Sequence, residues 1–369
     1  MARVRLWWVG RAGAAGGTLA RADRWRKHSS LALFCLLLIG CAPGTHQGGA
    51  PFHHLSDGFR NPPNSPEPNG FWTTLPFLVR FPFQRFDPAI AEGHTLPRSD
   101  VRAAVQSAAG QDSITWIGHM TALIELDGHQ VLTDPWFTDH CSPLPPFGPK
   151  RAVPPALSVE ELPPIDLILI SHSHYDHLDL PSLQAIAERQ DPVVVVPLGL
   201  AELVREQGFS LVVELDWHEQ LRVGGLDVTA LPVIHWSKRS LWRTNDTLWA
   251  GFALKSDSGR RVYFGGDAEY GPVYAETGHR YGPFDLAVLS IGAFLPREVM
   301  RGHHCAPADC LQIGLDVQAE ILVGLHWGTV ALGFDGLVEA PQRFTAAAAE
   351  RGLDPGRAWI MDIGETRGF

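Results

Sequence analysis

Residues 171–179 read "SHSHYDHLD" and follow the apolar run "DLILI" directly. His172, His174, Asp176 and His177 form an H-x-H-x-D-H pattern there, four potential metal ligands in six positions. A loop with this spacing, entered from a strand, can aim imidazoles and a carboxylate at one point or at two adjacent ones. Such donors suit Zn²⁺ or Fe rather than Ca²⁺. A single buried histidine is ordinarily a satisfied core residue, and that account does not extend to this density. Three more metal-competent residues close apolar runs further on: His235 after "TALPVI", Asp267 after "VYFGG" and His326 after "ILVGL". Taken singly, each reads equally well as a core histidine or a turn residue. With the loop they make seven candidate ligands, enough for two metals sharing one carboxylate.

The elements that must position these residues are legible as short apolar runs bounded by turns from about residue 112. "SITWIGHMTALIELDGHQVLTD" reads as strands around a "DGHQ" turn, followed by "DLILIS", "PVVVVP", "LDVTALPVIH", "WAGFALKS", "RVYFGGD", "DLAVLSIG" and "ILVGLHWG". Helical signals are fewer: "LPSLQAIAERQ" behind an Asp179 cap with Pro181 in its first turn, "GLAELVREQG" and "APADCLQIGLDVQ". Strands with interspersed helices predict an α/β sandwich of two sheets faced by helices, with strand ends opening onto the ligand loops. No repeat of fixed period accompanies this pattern.

The N-terminus has a different composition. Seven basic residues against Asp23 alone occupy positions 1–30, and "LALFCLLLIG" then runs uncharged up to Cys41. A basic segment before ten apolar residues reads as a secretory signal, too short to span a bilayer. Its end, "LIGC", resembles the lipobox of bacterial lipoproteins. Cys41 would then be the lipidated residue, placing the protein at the bacterial cell envelope, anchored to a membrane surface and facing the periplasm or exterior. An ordinary signal peptide or a misassigned start is the alternative. Residues 42–98 are rich in Pro, Gly and Asn and read as a tether and N-terminal extension, in which "FWTTLPFLVRFPFQRF" packs on the main domain or touches lipid. Residues 99–369 form the expected catalytic domain. Without positions 1–30 the 30 basic and 40 acidic residues fall to 23 and 39, a net charge of −16, which leaves no electrostatic footprint for nucleic acid. Past Cys41 only Cys141, Cys305 and Cys310 remain, too few for a disulfide framework; a Cys305–Cys310 bridge is not expected.

The chain resembles the metallo-β-lactamase superfamily, and within it the branch of N-acylphosphatidylethanolamine-hydrolysing phospholipase D. The likeness covers roughly residues 112–340 and is carried by "TWIGHMTALIELDG", "LTDPWFTDHCSP", "GPKRAVPPALSVEELPPID", "ISHSHYDHLDL", "HWSKRSLWRTNDTLWAGF", "YFGGDAEYGPVY", "GPFDLAVLSIGAF" and "LHWGTVAL". The resemblance implies that His172, His174 and His235 bind one zinc, that Asp176, His177 and His326 bind another, and that Asp267 bridges the two. Asp267 and Asp176 are then the catalytic candidates. Tyr175 and His304 correspond to positions that contact the phospholipid, and Asp134 in "LTDP" orients a ligand from behind. Met120 stands where the branch has a small residue, and "GDAEY" replaces its "GDTGY", so Ala268 and Glu269 alter the surroundings of Asp267.

Two metals about 3.5–4 Å apart can lower the pKa of water and clamp the oxygens of an in-line displacement at phosphorus. No serine or cysteine nucleophile is then needed. The expected activity is phospholipase D-type hydrolysis of N-acylphosphatidylethanolamine or a related phospholipid, giving phosphatidic acid and an N-acylethanolamine. A lactonase or another small-molecule phosphodiesterase on the same site is the alternative. Readings from other classes are a non-catalytic metal-binding lipoprotein and a diiron oxidoreductase. The resemblance also implies a homodimer, for which the sequence carries no separate signal.

Overall fold

The computed structural model describes residues 50–369 apart from Arg85, Phe86, Pro88, Ile90, Ala91 and Leu241. The leader expected over residues 1–41, including Cys41, lies outside the described residues. After a short hairpin of β1 (His54–Leu55) and β2 (Gly58–Phe59) comes helix α1 (Phe71–Arg80), then α2 (Arg98–Ala108). β3 (Ser113–Gly118), β4 (Thr121–Leu126), β5 (His129–Thr133), β6 (Leu167–Leu169), β7 (Val193–Pro197) and β8 (Val212–Leu215) run in order across a first sheet, interrupted by α3 (Leu180–Ala187) and α4 (Ala201–Arg205). A second sheet follows with β9 (Gln220–Val223), β10 (Leu226–Leu231), β11 (Gly251–Ser256), β12 (Arg261–Phe264), β13 (Phe284–Ser290), β14 (Ala319–Leu325) and β15 (Ala358–Ile360). Its helices are α5 (Val273–Tyr281), α6 (Arg297–Met300), α7 (Pro307–Asp316) and α8 (Glu339–Glu350). The last strand, β16 (Thr366–Gly368), returns to the first sheet and pairs antiparallel with β3.

Both sheets have seven strands and the same plan. Three antiparallel pairings precede three parallel ones, β16 to β5 then β5 to β8 in the first sheet, and β9 to β12 then β12 to β15 in the second. The duplication is one of architecture, since the sequence shows no matching repeat. The parallel strands "LIL", "VVVV" and "ILVGL" are covered on both faces and are therefore nearly continuous apolar runs. By contrast, the edge strand β9, "QLRV", alternates exposed polar with half-buried apolar side chains. One continuous core joins the facing sheets, with Trp116, Phe252, Phe264 and Phe284 fully or almost fully buried in it. α7 packs on β13 and β14, α8 on α7 and β15, α2 on β16 and α4 on β8. The expected sandwich of two mixed sheets flanked by helices is what the chain forms.

Two local expectations need correction. Asp179 does precede α3, but its carboxylate takes the Ser182 hydroxyl and the Thr138 amide and makes no capping bond to the helix. Cys305 and Cys310 form the disulfide that the sequence did not predict. Cys305 leads into α7 and Cys310 lies in its first turns, which brings their Cα atoms to 5.4 Å, inside the bridging range. The third thiol, Cys141, is free and buried.

Candidate metal centre

Each candidate ligand sits on a connection beyond the C-terminal end of a strand. Asp134 follows β5, the 171–179 loop follows β6, and His326 follows β14 directly; His235 and Asp267 lie a few residues past β10 and β12. The backbone there is unusual. His119, Asp134 and His326 take positive φ values of 56°, 34° and 66° without being glycine, a conformation that surrounding structure must enforce and that concentrates at functional sites. Gly266 (φ 59°) is needed for a different reason: a Cβ on it would come within 2.6 Å of the Ser171 Cβ, so its absence lets Asp267 approach the loop.

The side chains converge in two groups. In the first, His172 Nε2 lies 2.8 Å and His235 Nε2 3.3 Å from His174 Nδ1. In the second, Asp176 Oδ2 lies 3.3 Å from His177 Nε2 and 3.7 Å from His326 Nε2. Asp267 stands between them: its Oδ2 is 3.0 Å from His177 Nε2 and 3.9 Å from the Nε2 atoms of both His172 and His235, while its Oδ1 is 3.3 Å from His326 Nε2. In each group one ligand atom per residue falls within 4.8 Å of the others. Asp267 and the imidazoles of both groups are buried, except that His174 is half-buried.

A cation fits this arrangement on three observations. Nε2 of His177 and His326 and Oδ1 of Asp267, the atoms that face one another across the centre, are buried without a hydrogen-bond partner, a cost that a structure seldom bears without a use. Burial, reinforced by neighbouring imidazoles, holds His172 and His235 well below the usual histidine pKa and lowers His174 to about 3, so all three are neutral and ready to ligate. Against the same burial, the nearby carboxylates raise His177 and bring His326 to about 9, and the imidazoles in turn hold Asp176 and Asp267 well below the ordinary carboxylate range. Two carboxylates here call for positive charge, which protonated His177 and His326 provide and which a divalent metal would supply in their place.

The ring nitrogens facing away are fixed from behind. His177 Nδ1 is 2.7 Å from Asp134 Oδ2, and Asp134 also accepts from the Ser171 amide at 2.7 Å and the Ser171 hydroxyl at 2.6 Å. Burial pushes the Asp134 carboxyl up, and these donors counter it. His235 Nδ1 donates to the His303 carbonyl at 2.7 Å, which leaves its Nε2 lone pair facing the centre. Sequence reading missed His119. Its Nε2 is 2.8 Å from Asp176 Oδ2, and burial lowers its pKa to about 3. A histidine closing the β3 run is the same signal that exposed His235 and His326.

His304 Nε2 lies 3.9 Å from Asp267 Oδ2 with its side chain 13% exposed, whereas the neighbouring His303 ring turns away onto Trp236. Tyr175 is half-buried. Its hydroxyl donates to the Arg239 carbonyl at 3.0 Å, the Arg239 guanidinium lies 4.3 Å over its ring, and it packs beside Trp136, Cys141, Val330 and Leu332. Met120 is fully buried in the main core.

A sequence profile described as "Beta-lactamase superfamily domain" matches residues 129–327, which hold all seven expected ligands. The chain belongs to the metallo-β-lactamase superfamily. Within the superfamily it falls in the branch of the N-acyl-phosphatidylethanolamine-hydrolyzing phospholipases D. Phospholipase D 1 of that name from Caenorhabditis elegans is 36% identical over 250 residues, 65% of this chain and 70% of the worm protein. Rv0906, an uncharacterized protein of Mycobacterium tuberculosis, is 40% identical over 65% of either chain, so the match spans just under two thirds of its length. Among solved structures, Igni18, a metallo hydrolase of Ignicoccus hospitalis, superposes with a TM-score of 0.54 at 22% identity over 70% of this chain and 98% of its own. CmlA, a diiron β-hydroxylase of Streptomyces venezuelae, gives 0.53 at 20% identity over 70% of this chain and 54% of its own. The superfamily fold thus accommodates hydrolytic and oxidative chemistry alike, and the function has to be argued from the site.

Proposed function

We propose that this protein is a dinuclear zinc phosphodiesterase of phospholipase D type, hydrolysing N-acylphosphatidylethanolamine or a related phospholipid to phosphatidic acid and an N-acylethanolamine. The observation that carries this reading is the division of six side chains, five buried and His174 half-buried, into two groups of three with Asp267 within 4 Å of both. His172, His174 and His235 would hold one metal, and Asp176, His177 and His326 the other, with Asp267 shared. Bound there, the metals would lower the pKa of water toward neutrality and polarise the phosphoryl oxygens.

The chain's own residues do the rest. Asp134 and the His303 carbonyl fix the tautomers of His177 and His235, and His119 orients Asp176. His304, brought to a pKa of about 3 by burial, is neutral and partly exposed, and offers an N–H to a phosphoryl oxygen of the substrate. Tyr175 presents its ring rather than its hydroxyl, which is already committed to Arg239. The identity to the worm phospholipase supports the substrate class. So do the exposed apolar side chains Leu144, Phe147 and Trp242, carried by the loops that leave Cys141 and Arg239 beside Tyr175. A membrane surface would be met on that side, with Cys41 as lipid anchor at the bacterial envelope; assembly as a homodimer belongs to the same reading.

The test is hydrolysis of N-acylphosphatidylethanolamine in mixed micelles by the zinc-loaded, detergent-solubilised chain, with Asp267→Asn as control. Phosphatidic acid formed by the wild type and absent with the variant is the expected result. A wild type that holds two zinc ions and leaves every phospholipid intact sinks the lipid assignment and turns the search to small lactones and phosphodiesters.

A further inference from the structure

Segment 302–305 supplies both the carbonyl that fixes His235 and the imidazole of His304, yet it is a connection between α6 and α7 with no sheet to hold it. The His303 and His304 amides, both 2.9 Å from the Met300 carbonyl, and the Cys305–Cys310 disulfide shape it locally, and an ion pair ties it to the metal centre. Arg297 donates through Nη2 to Glu269 Oε2 at 2.5 Å and through Nη1 to the His304 carbonyl. The Glu269 side chain is only 4% exposed, and its Oε2 also accepts the Gly302 amide at 2.8 Å. Glu269 is itself tied to the strand end before His235, because its amide donates to the Ile234 carbonyl at 2.8 Å. Further along, the Cys305 amide donates to the Ala268 carbonyl at 2.8 Å. Gly302, His304 and Cys305 are thus fastened to the Ala268–Glu269 step beside Asp267, and the His303 carbonyl is delivered to His235 from between them.

We propose that Arg297 is a positioning residue, whose guanidinium bridges Glu269 and the His304 carbonyl and thereby fixes the tautomer of His235 and the seat of His304. The inference rests on the metal-centre part of the function proposed above. A guanidinium suits the task because two nitrogens of one rigid fork reach two acceptors at once, which a lysine ammonium on a flexible stem does not reproduce. Groups behind a ligating histidine influence metal affinity by about 10- to 100-fold.

The full chain carrying Arg297→Lys, Arg297→Met or Glu269→Gln is compared with wild type in two ways. In a cobalt(II) titration against a competing chelator, both Arg297 variants should weaken by about tenfold or more the site that contains His235, and leave the site that contains His177 at wild-type affinity. In long-range ¹H–¹⁵N spectra of ¹⁵N-histidine-labelled protein without metal, His235, assigned through His235→Gln, should be protonated at Nδ1 in wild type and mixed between Nδ1 and Nε2 in the variants. Glu269→Gln keeps an acceptor for Gly302 and should show an intermediate effect; it also serves if an Arg297 variant does not fold. Wild-type affinity and tautomer in Arg297→Lys overturn the proposal, as does equal weakening of both sites in step with thermal stability. A wild type that takes up no cobalt defeats the functional reading instead, and the tautomer spectra still decide the role of Arg297.

Discussion

Asp134→Asn tests how the centre is held from behind, because it changes the charge and hydrogen-bonding of one fully buried group while keeping its shape. Three donors meet the two carboxylate oxygens: the Ser171 amide at Oδ1, and the Ser171 hydroxyl and His177 Nδ1 at Oδ2. Asparagine has one acceptor and one NH₂ group. With its oxygen kept on the Ser171 amide, its NH₂ faces His177 Nδ1. The Ser171 hydroxyl can rotate to accept, but the imidazole can accept only by moving its proton to Nε2, the atom 3.0 Å from Asp267 and 3.3 Å from Asp176. The ligating lone pair is then lost unless the ring pays for the other tautomer. Metal affinity at the site containing His177 should fall about 10- to 100-fold, or about 1.4–2.7 kcal/mol, and less at the site containing His235, which the change reaches only through the Ser171 hydroxyl, 2.9 Å from His172 Nδ1. Chelator competition with cobalt or zinc reads both sites, and Ser171→Ala, which keeps the Asp134–His177 contact, should lose much less at the site containing His177, its own cost falling on His172, whose Nδ1 lies 2.9 Å from the Ser171 hydroxyl. An Asp134→Asn chain that folds and binds both metals within twofold of wild type would show that the Asp134–His177 contact does not control the ligand.

Metal uptake should also be coupled to protons. His177 and His326 have raised pKa values, His326 at about 9, so both are protonated at neutral pH, whereas burial keeps His172, His174 and His235 neutral. Loading at pH 7 should therefore release about two protons per chain, and affinity at the site containing His177 and His326 should climb with pH through about 9, where His326 deprotonates; calorimetry in buffers of different ionisation enthalpy that finds no release contradicts this. Replacing Phe147 or Trp242 by serine should slow hydrolysis of vesicle lipid by tenfold or more, from the roughly 1.5–3 kcal/mol that a buried aromatic side chain is worth, and leave a soluble diester unaffected. Equal losses on both substrates would exclude a role at the lipid surface. Non-reducing peptide mapping should recover Cys305 and Cys310 in a species two hydrogens lighter than the reduced one, and equal masses would disprove the bridge.

The ligand loop was readable because its residues are contiguous, and His235, Asp267 and His326 because each terminates an apolar run. The alternating and continuous apolar patterns likewise marked most of the strands, since burial on one or both faces writes itself into neighbouring residues. Short elements with half-buried patterns, β9, β15 and β16, left no such trace. Nor did contacts between distant residues. Asn61, in a segment whose Pro- and Asn-rich composition suggests only a tether, accepts from the His235 amide at 3.0 Å and the Trp249 indole at 3.1 Å. His53 and His54 hold Asp216 at 2.6 and 2.8 Å. The Arg297–Glu269 pair and the positive φ of His119 are equally products of the finished packing, and no local spacing announces them.

The return of β16 to pair with β3 bears on the order in which the protein matures. β3 emerges early from the ribosome, yet its outer edge stays unpaired until residues 366–368 have been made. By then the segments bearing His235, Asp267 and His326 have already been synthesised. An open strand edge in the nascent chain invites pairing with other chains. The sheet that carries Asp134 and the 171–179 loop is thus completed only after every candidate ligand has been synthesised.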